Sequence, residues 1–183
     1  MTRIGKTHKW LVLLIAILIA MNTNTFWRMV YPIPYKETIW EMAEIYDQDP
    51  RLIAAIIMVE SQYKKKSVSD KGAIGLMQLM PQTAAWAAEI NGITYTYEEE
   101  LAKPATNIRL GTWYVRYLQG KYDNNLPLML AGYNSGPARV DEWMLEGKWD
   151  GEMDTLKQVP FGQTRHYIQR VQHFYGQYQK IYD

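Results

Sequence analysis

One acid stands where chemistry could be done. Residues 52–59 read LIAAIIMV and carry no charge, and Glu60 follows directly at their end. Burial disfavours the ionised form of a carboxylate and raises its pKa, which suits a general acid working near neutral pH. The ordinary alternative is a helix-terminal Glu facing water. A polar turn follows, and then Gly72-Ala73-Ile74-Gly75-Leu76-Met77-Gln78. Glycines at this spacing let the backbone approach a packed helix or a ligand closely.

The elements that must hold Glu60 are helical. Asp49-Pro50 pairs an N-cap with a proline at the first helical position, so a helix starts there and carries Glu60 near its C-terminal end. The electronegative helix C-terminus adds to the pressure keeping the acid protonated. Before it, Tyr35, Ile39, Met42 and Tyr46 recur at helical spacing. After it, Pro81 starts a helix that Gly92 ends, and Ala105 to Tyr122 forms another with Ile108, Gly111, Val115 and Leu118 on one face. Leu126 to Tyr133 follows and breaks at Asn134-Ser135-Gly136-Pro137; Pro137 opens a short helix to Leu145. The last helix runs from Gln163 to Tyr182, with Tyr167, Ile168, Val171, Tyr175 and Tyr178 as its buried stripe. Ile93 to Tyr97 reads as extended and Gly147 to Pro160 as an irregular loop. The fold class is mainly α.

The motifs then narrow the reading. Glu60-Ser61, Ser69, the Gly72–Gln78 segment and Met80-Pro81-Gln82-Thr83-Ala84 occur in order. Ala131-Gly132-Tyr133-Asn134-Ser135-Gly136 and Gln163-Thr164-Arg165-His166-Tyr167 follow, also in order. Together they resemble the catalytic domain of the lytic transglycosylases, the peptidoglycan-cleaving relatives of goose-type lysozyme. The resemblance covers about residues 35 to 182. It implies a single lysozyme-like domain with a substrate cleft over 35–183; the residues before it read as an N-terminal apolar helix.

The resemblance also implies roles. Glu60 would be the catalytic residue. It would protonate the oxygen linking N-acetylmuramic acid to N-acetylglucosamine, then deprotonate the muramyl 6-hydroxyl, closing a 1,6-anhydro ring. Ser69, Gln78 and Met80 would line the cleft, with Gln78 hydrogen-bonding sugar substituents. Tyr133 would help position Glu60 and Asn134 would support the turn. Ser61 reads as packing rather than substrate contact, and Met77 and Met80 can equally be core fillers. Gln163 stands where the family usually has Glu, which puts any role needing a charge there in doubt.

Rival readings remain. Ordinary glycoside hydrolysis uses two carboxylates, so a water-using muramidase would need a second acid. Asp49, Asp70 and Glu89 are explained as a cap, a turn and a helix surface. A non-catalytic glycan-binding protein would keep the fold without turnover, but it has no need of a costly desolvated acid.

Bulk properties bound the rest. A chain of 183 residues accommodates one domain with a sizeable core. The net charge of +1 argues against a nucleic-acid binder. There is no Cys, the three His lack metal-ligand spacing and no phosphate loop is present, so neither metal nor cofactor is expected. Lys64-Lys65-Lys66 reads as a solvated run that could also meet an anionic wall. The expected partners are peptidoglycan glycan strands and the cytoplasmic membrane, with the chain itself monomeric.

The membrane expectation comes from residues 1–30. Arg3, Lys6 and Lys9 precede the apolar run Trp10 to Met21, the pattern of a signal anchor or signal peptide. No clean small-x-small cleavage site appears, so the segment reads as a retained anchor holding the domain in the cell envelope, on the outer face of the cytoplasmic membrane. The run is shorter than the ~20 residues a spanning helix needs. Residues 31–34, Tyr31-Pro32-Ile33-Pro34, read as a stiff linker.

Overall fold

The computed structural model describes residues 6–21, 23–93 and 98–182. The backbone forms ten α-helices among these residues: α1 (Lys6–Met21), α2 (Asn24–Val30), α3 (Lys36–Ile45), α4 (Pro50–Ser61), α5 (Pro81–Ile90), α6 (Glu98–Leu101), α7 (Pro104–Lys121), α8 (Leu126–Ser135), α9 (Pro137–Leu145) and α10 (Gly162–Ile181). Five of them, α4, α5, α7, α8 and α9, carry proline at the first or second position. There its fixed φ suits the helix and its missing N–H would have had no partner anyway. Side-chain caps start three: Thr23 accepts from the Phe26 N–H at 3.3 Å, Asp49 from the Arg51 N–H at 2.8 Å and Asn125 from the Leu128 N–H at 2.9 Å.

Helix α4 sits at the centre. Its residues Leu52 to Ile57 are all buried, so it is apolar nearly all round, as a helix enclosed by others must be. Helix α10 packs along it more extensively than any other pair of elements touches, and α3 covers another side. Helix α8 rests against α10, α7 and α9, and α7 also meets α3, α5 and α6. The 62–80 loop between α4 and α5 is held by α7 through Asn107 and by α8 through Tyr133. Ile108, Gly111, Val115 and Leu118 of α7 are all buried, as their spacing predicts.

The segment expected as a linker is held against the domain. Residues 31–34 are extended but not free-standing: Ile33 is buried in the core, and the Tyr31 carbonyl accepts the Tyr182 hydroxyl at 2.8 Å. Helix α2 also docks on the domain, with Arg28 donating to the Ile181 carbonyl at 3.2 Å. The 147–160 stretch is irregular apart from a 3₁₀ turn at Leu156–Gln158, and it is anchored by Trp149, which is buried and donates to the Glu152 carbonyl at 3.1 Å. The extended stretch expected at Ile93 to Tyr97 falls mostly on 94–97, outside the described residues, and Ile93 belongs to no regular element.

Helix α1 is apolar, and Trp10, Val12 and Ile19 are among its side chains left exposed. Among the described residues no helix is long and apolar enough to cross a membrane.

Candidate active site

Glu60 occupies the last turn of α4, at the floor of a cavity of about 320 Å³. Ser69, Gln78, Met80, Tyr133 and Asn134 line the same cavity, so all six residues singled out from the sequence converge. A second cavity of about 630 Å³ shares Gln78, Met80, Tyr133 and Asn134 with the first and continues toward Thr83, Tyr114 and Phe161. The two form one groove.

Burial of the Glu60 carboxyl pushes its pKa up to about 7. The Tyr167 hydroxyl and, more weakly, the Arg170 cation oppose that rise without cancelling it. The acid can thus hold a proton near neutral pH and release it at little cost, which is the requirement for donating a proton and later taking one back.

Two tyrosines enclose the acid. The rings of Tyr133 and Tyr167 are stacked, with centroids 6.5 Å apart and planes 3° from parallel. Burial, with the neighbouring Glu60 charge, holds both phenols well above their ordinary pKa, so both stay neutral. Their hydroxyls are used differently. Tyr133 donates to the Met77 carbonyl at 2.8 Å and so ties α8 to the loop. The Tyr167 hydroxyl is buried with no fully formed hydrogen bond among the described residues, and it faces the Glu60 carboxyl, whose pKa it lowers. A buried hydroxyl with nothing to bond is costly unless a ligand or a charge appears beside it, and Glu60 is the charge at hand. The sequence suggested Tyr133 for positioning the acid; the geometry makes Tyr167 the residue whose hydroxyl is free to answer it. Tyr167 lies in the last motif of the chain but was legible there only as part of a buried stripe.

The loop that forms the near wall is closed by its own polar groups. The Ser69 hydroxyl accepts from the Ala73 N–H at 2.9 Å, leaving its own hydrogen for the cavity. Gln78 sits at φ 47, and its side-chain amide donates to the carbonyls of Ser67 (3.1 Å) and Gly75 (2.9 Å), which leaves its oxygen for a ligand. Gly75 has φ +84, and a Cβ there would overlap the Asn107 side chain. Met77 is fully buried while Met80 is 43% exposed in the groove, so the two methionines divide the roles the sequence left open. Ser61 is buried and donates to the Ile57 carbonyl at 3.2 Å, a packing role as expected.

Asn107 was not legible as part of the site. It is fully buried on α7, accepts from the Met77 N–H at 2.7 Å and donates to the carbonyls of Ile74 and Leu101, each at 2.9 Å. One side chain thus fixes the loop, α6 and α7 together. The only signal in the sequence was an amide among the apolar positions of α7.

The far wall is tied by hydroxyls. Thr164 donates to the Asn134 side-chain oxygen at 3.0 Å and pairs with Ser135 at 2.6 Å, locking the end of α8 to the start of α10. Asn134 therefore supports the turn through its side chain. Gln163, beside Thr164, lines both cavities as a neutral group.

Comparison with known proteins places these features in a family. The sequence pattern of the family described as "Transglycosylase SLT domain" matches residues 37–154. The soluble lytic murein transglycosylase of Salmonella typhimurium is 34% identical over 158 residues, covering 80% of this chain and 24% of that protein. A solved structure of an inactive mutant of lytic transglycosylase Slt from Pseudomonas aeruginosa superposes with a TM-score of 0.76 at 32% identity, covering 84% of this chain and 25% of that one. The 70-kDa soluble lytic transglycosylase of Escherichia coli gives a TM-score of 0.78 at 29% identity, over 85% of this chain and 25% of that one. The chain spans about a quarter of the length of these relatives.

Proposed function

We infer the function from one premise: this chain belongs to the transglycosylase SLT domain family. It acts on peptidoglycan as a lytic transglycosylase, cutting the β-1,4 bond between N-acetylmuramic acid and N-acetylglucosamine without water. The observation that carries this reading is Glu60, a carboxyl with a pKa near 7 at the floor of a groove lined by Ser69, Gln78, Met80, Tyr133 and Asn134.

In this mechanism Glu60, protonated at rest, gives its proton to the glycosidic oxygen as the bond to the anomeric carbon breaks. The positive charge that builds at that carbon is met by the substrate's own 2-acetamido oxygen. Glu60 is now ionised, and the Tyr167 hydroxyl beside it can donate to the carboxylate and hold it for the second step. The carboxylate then removes the proton of the muramyl 6-hydroxyl as that oxygen bonds to the anomeric carbon. A 1,6-anhydro ring closes and Glu60 regains its starting proton. The free oxygen of Gln78 and the free hydrogen of Ser69 suit the amide and hydroxyl groups of N-acetyl sugars.

A second reading has one observation behind it. Asp70 lines the same cavity as Glu60, and a carboxylate there could activate water, giving a hydrolytic muramidase. Mass analysis of the muropeptides released by the purified chain separates the two. Anhydro ends, one water lighter than reducing ends, support the transglycosylase. Reducing ends that disappear in Asp70→Asn support the muramidase, and no release at all sinks both.

We also propose that α1 attaches the protein to the cell envelope at the outer face of the cytoplasmic membrane. Its exposed apolar side chains support this, and basic residues precede them. Intact-mass measurement of protein from a native membrane fraction tests it, since a mature chain starting near Met21 to Thr25 would mean a cleaved signal.

A further inference from the structure

The lining of the groove continues onto a surface that the chemistry above does not use. Thr83 on α5 and Tyr114 on α7 line the larger cavity. Three residues further along each helix, on the same face, stand Trp86 and Tyr117. Each keeps 37% of its surface exposed. Their rings are joined: Trp86 meets Trp113 and Tyr117 edge-on, both at 4.8 Å. Trp113 and Tyr114 lie nearly parallel to Tyr117, at 16° and 11°. Tyr114 touches Tyr133, 5.5 Å away. A run of rings therefore leads from beside Glu60 out to solvent. Single exposed apolar side chains are ordinary, but a contiguous patch adjoining a groove marks a binding face.

We propose that Trp86 and Tyr117, backed by Trp113, form a stacking platform for a sugar ring of the same glycan strand, beyond the sugars held in the groove. The platform rests on the peptidoglycan reading given above. A pyranose presents a face of C–H groups that suits the electron-rich face of an aromatic ring. The rings carry no charge, which fits a neutral N-acetyl sugar better than the carboxylates of a stem peptide. Tyr and Trp also supply contact area at low conformational cost. The patch is too small for a second copy of the chain, because two side chains about one-third exposed fall far short of the ~800 Å² per partner of a stable dimer.

The test uses the full chain with Glu60→Gln, so that binding is read without turnover, and glycan strands freed of stem peptides as the probe. Calorimetric titration with strands of increasing length should show affinity rising once a strand is long enough to reach the platform. Trp86→Ala and Tyr117→Ala should each raise the Kd for long strands about tenfold, the size expected for losing one aromatic anchor. The gain from short to long strands should then vanish, and Trp86→Phe should recover most of it. If Trp86→Ala melts early, Tyr117→Gln carries the test alone, since Gln is a good helix former at an exposed position. Equal weakening for all lengths, or no dependence on length in the parent, overturns the platform. So does a concentration-dependent dimer that Trp86→Ala abolishes while the length dependence stays unchanged, because the patch then belongs to a second copy. Cleavage by the unmutated chain is read separately: anhydro-ended products without length-dependent binding remove the platform alone, and length-dependent binding without cleavage removes the transglycosylase reading alone.

Discussion

Helix α4 carries a carboxylate at each end, and the two are treated in opposite ways. Asp49 caps the N-terminus, where burial would raise its pKa, but hydrogen bonds from the Arg51 side chain, the Arg51 backbone and the Tyr175 hydroxyl outweigh that and lower it. The Arg51 guanidinium grips both Asp49 oxygens, at 2.9 and 3.1 Å, and Tyr175 donates at 2.8 Å. Glu60 lies at the C-terminal end, where burial dominates and its pKa climbs to about 7. The helix dipole favours charge on Asp49 and disfavours it on Glu60. One helix thus holds a carboxylate that stabilises by being ionised and another that burial keeps poised to hold or release a proton near neutral pH. On the proposed mechanism, stability and reactivity are divided between its two ends.

Exchanging the two roles by mutation tests this division. The largest effect should come from Glu60→Gln. The amide keeps the shape of the acid but cannot donate a comparable proton. General acid catalysis contributes ~10²–10⁴-fold, and the proposed mechanism assigns both proton steps to one residue, so the release of muropeptides should fall by at least the upper end of that range. Retained turnover in this variant would remove Glu60 from the reaction.

The same substitution should have a pH signature in stability. The folded pKa of Glu60 is raised above its unfolded value of 4.5, so the native state binds the extra proton. Its stabilising contribution is complete below pH 4.5 and is lost as pH rises through 7. The wild-type chain should therefore lose stability relative to Glu60→Gln across that window, by about 1–3 kcal/mol in total. Urea denaturation at pH 5 and pH 8 measures the difference, and a gap independent of pH would contradict the raised pKa.

Asp49→Ala should do the reverse. Losing the cap and its Arg51 and Tyr175 partners should cost about 1–2 kcal/mol of stability, with little change in turnover at a temperature where the fold is intact. In the parent, the Asp49 contribution is present above its unfolded pKa of 3.8 and fades as pH falls through it. A variant that unfolds no earlier in urea would show that the cap contributes nothing.

Tyr167→Phe should give the smallest effect. The Tyr167 hydroxyl lowers the Glu60 pKa, so removing it should raise that pKa further. The alkaline limb of the pH–rate profile should move upward while the fold stays unchanged. Tyr133→Phe removes a bond to the Met77 carbonyl instead, and should cost stability with a smaller movement of that limb. An equal shift in both variants would mean the two tyrosines are not distinguished.

What the sequence determined on its own was local. The helix starts were written in Asp49-Pro50, Pro81 and Pro137, because caps and prolines act within one turn. The faces of α7 and α10 were written in their periodicity, and Glu60 was visible as a charge ending an apolar run. What tertiary structure decided was the use of each polar group. Asn107 bonds to residues 30 and 33 positions away, and no local pattern encodes such a partner. The Thr164 bonds to Ser135 and Asn134 cross 29 and 30 positions. The sequence suggested Tyr133 for positioning the acid and Tyr167 for a buried stripe, and only packing could give the first hydroxyl to a loop carbonyl and leave the second facing the acid. The raised pKa of Glu60 was decided in the same way. An apolar run in sequence permits desolvation, but water is excluded only when α8 and α10 close over it.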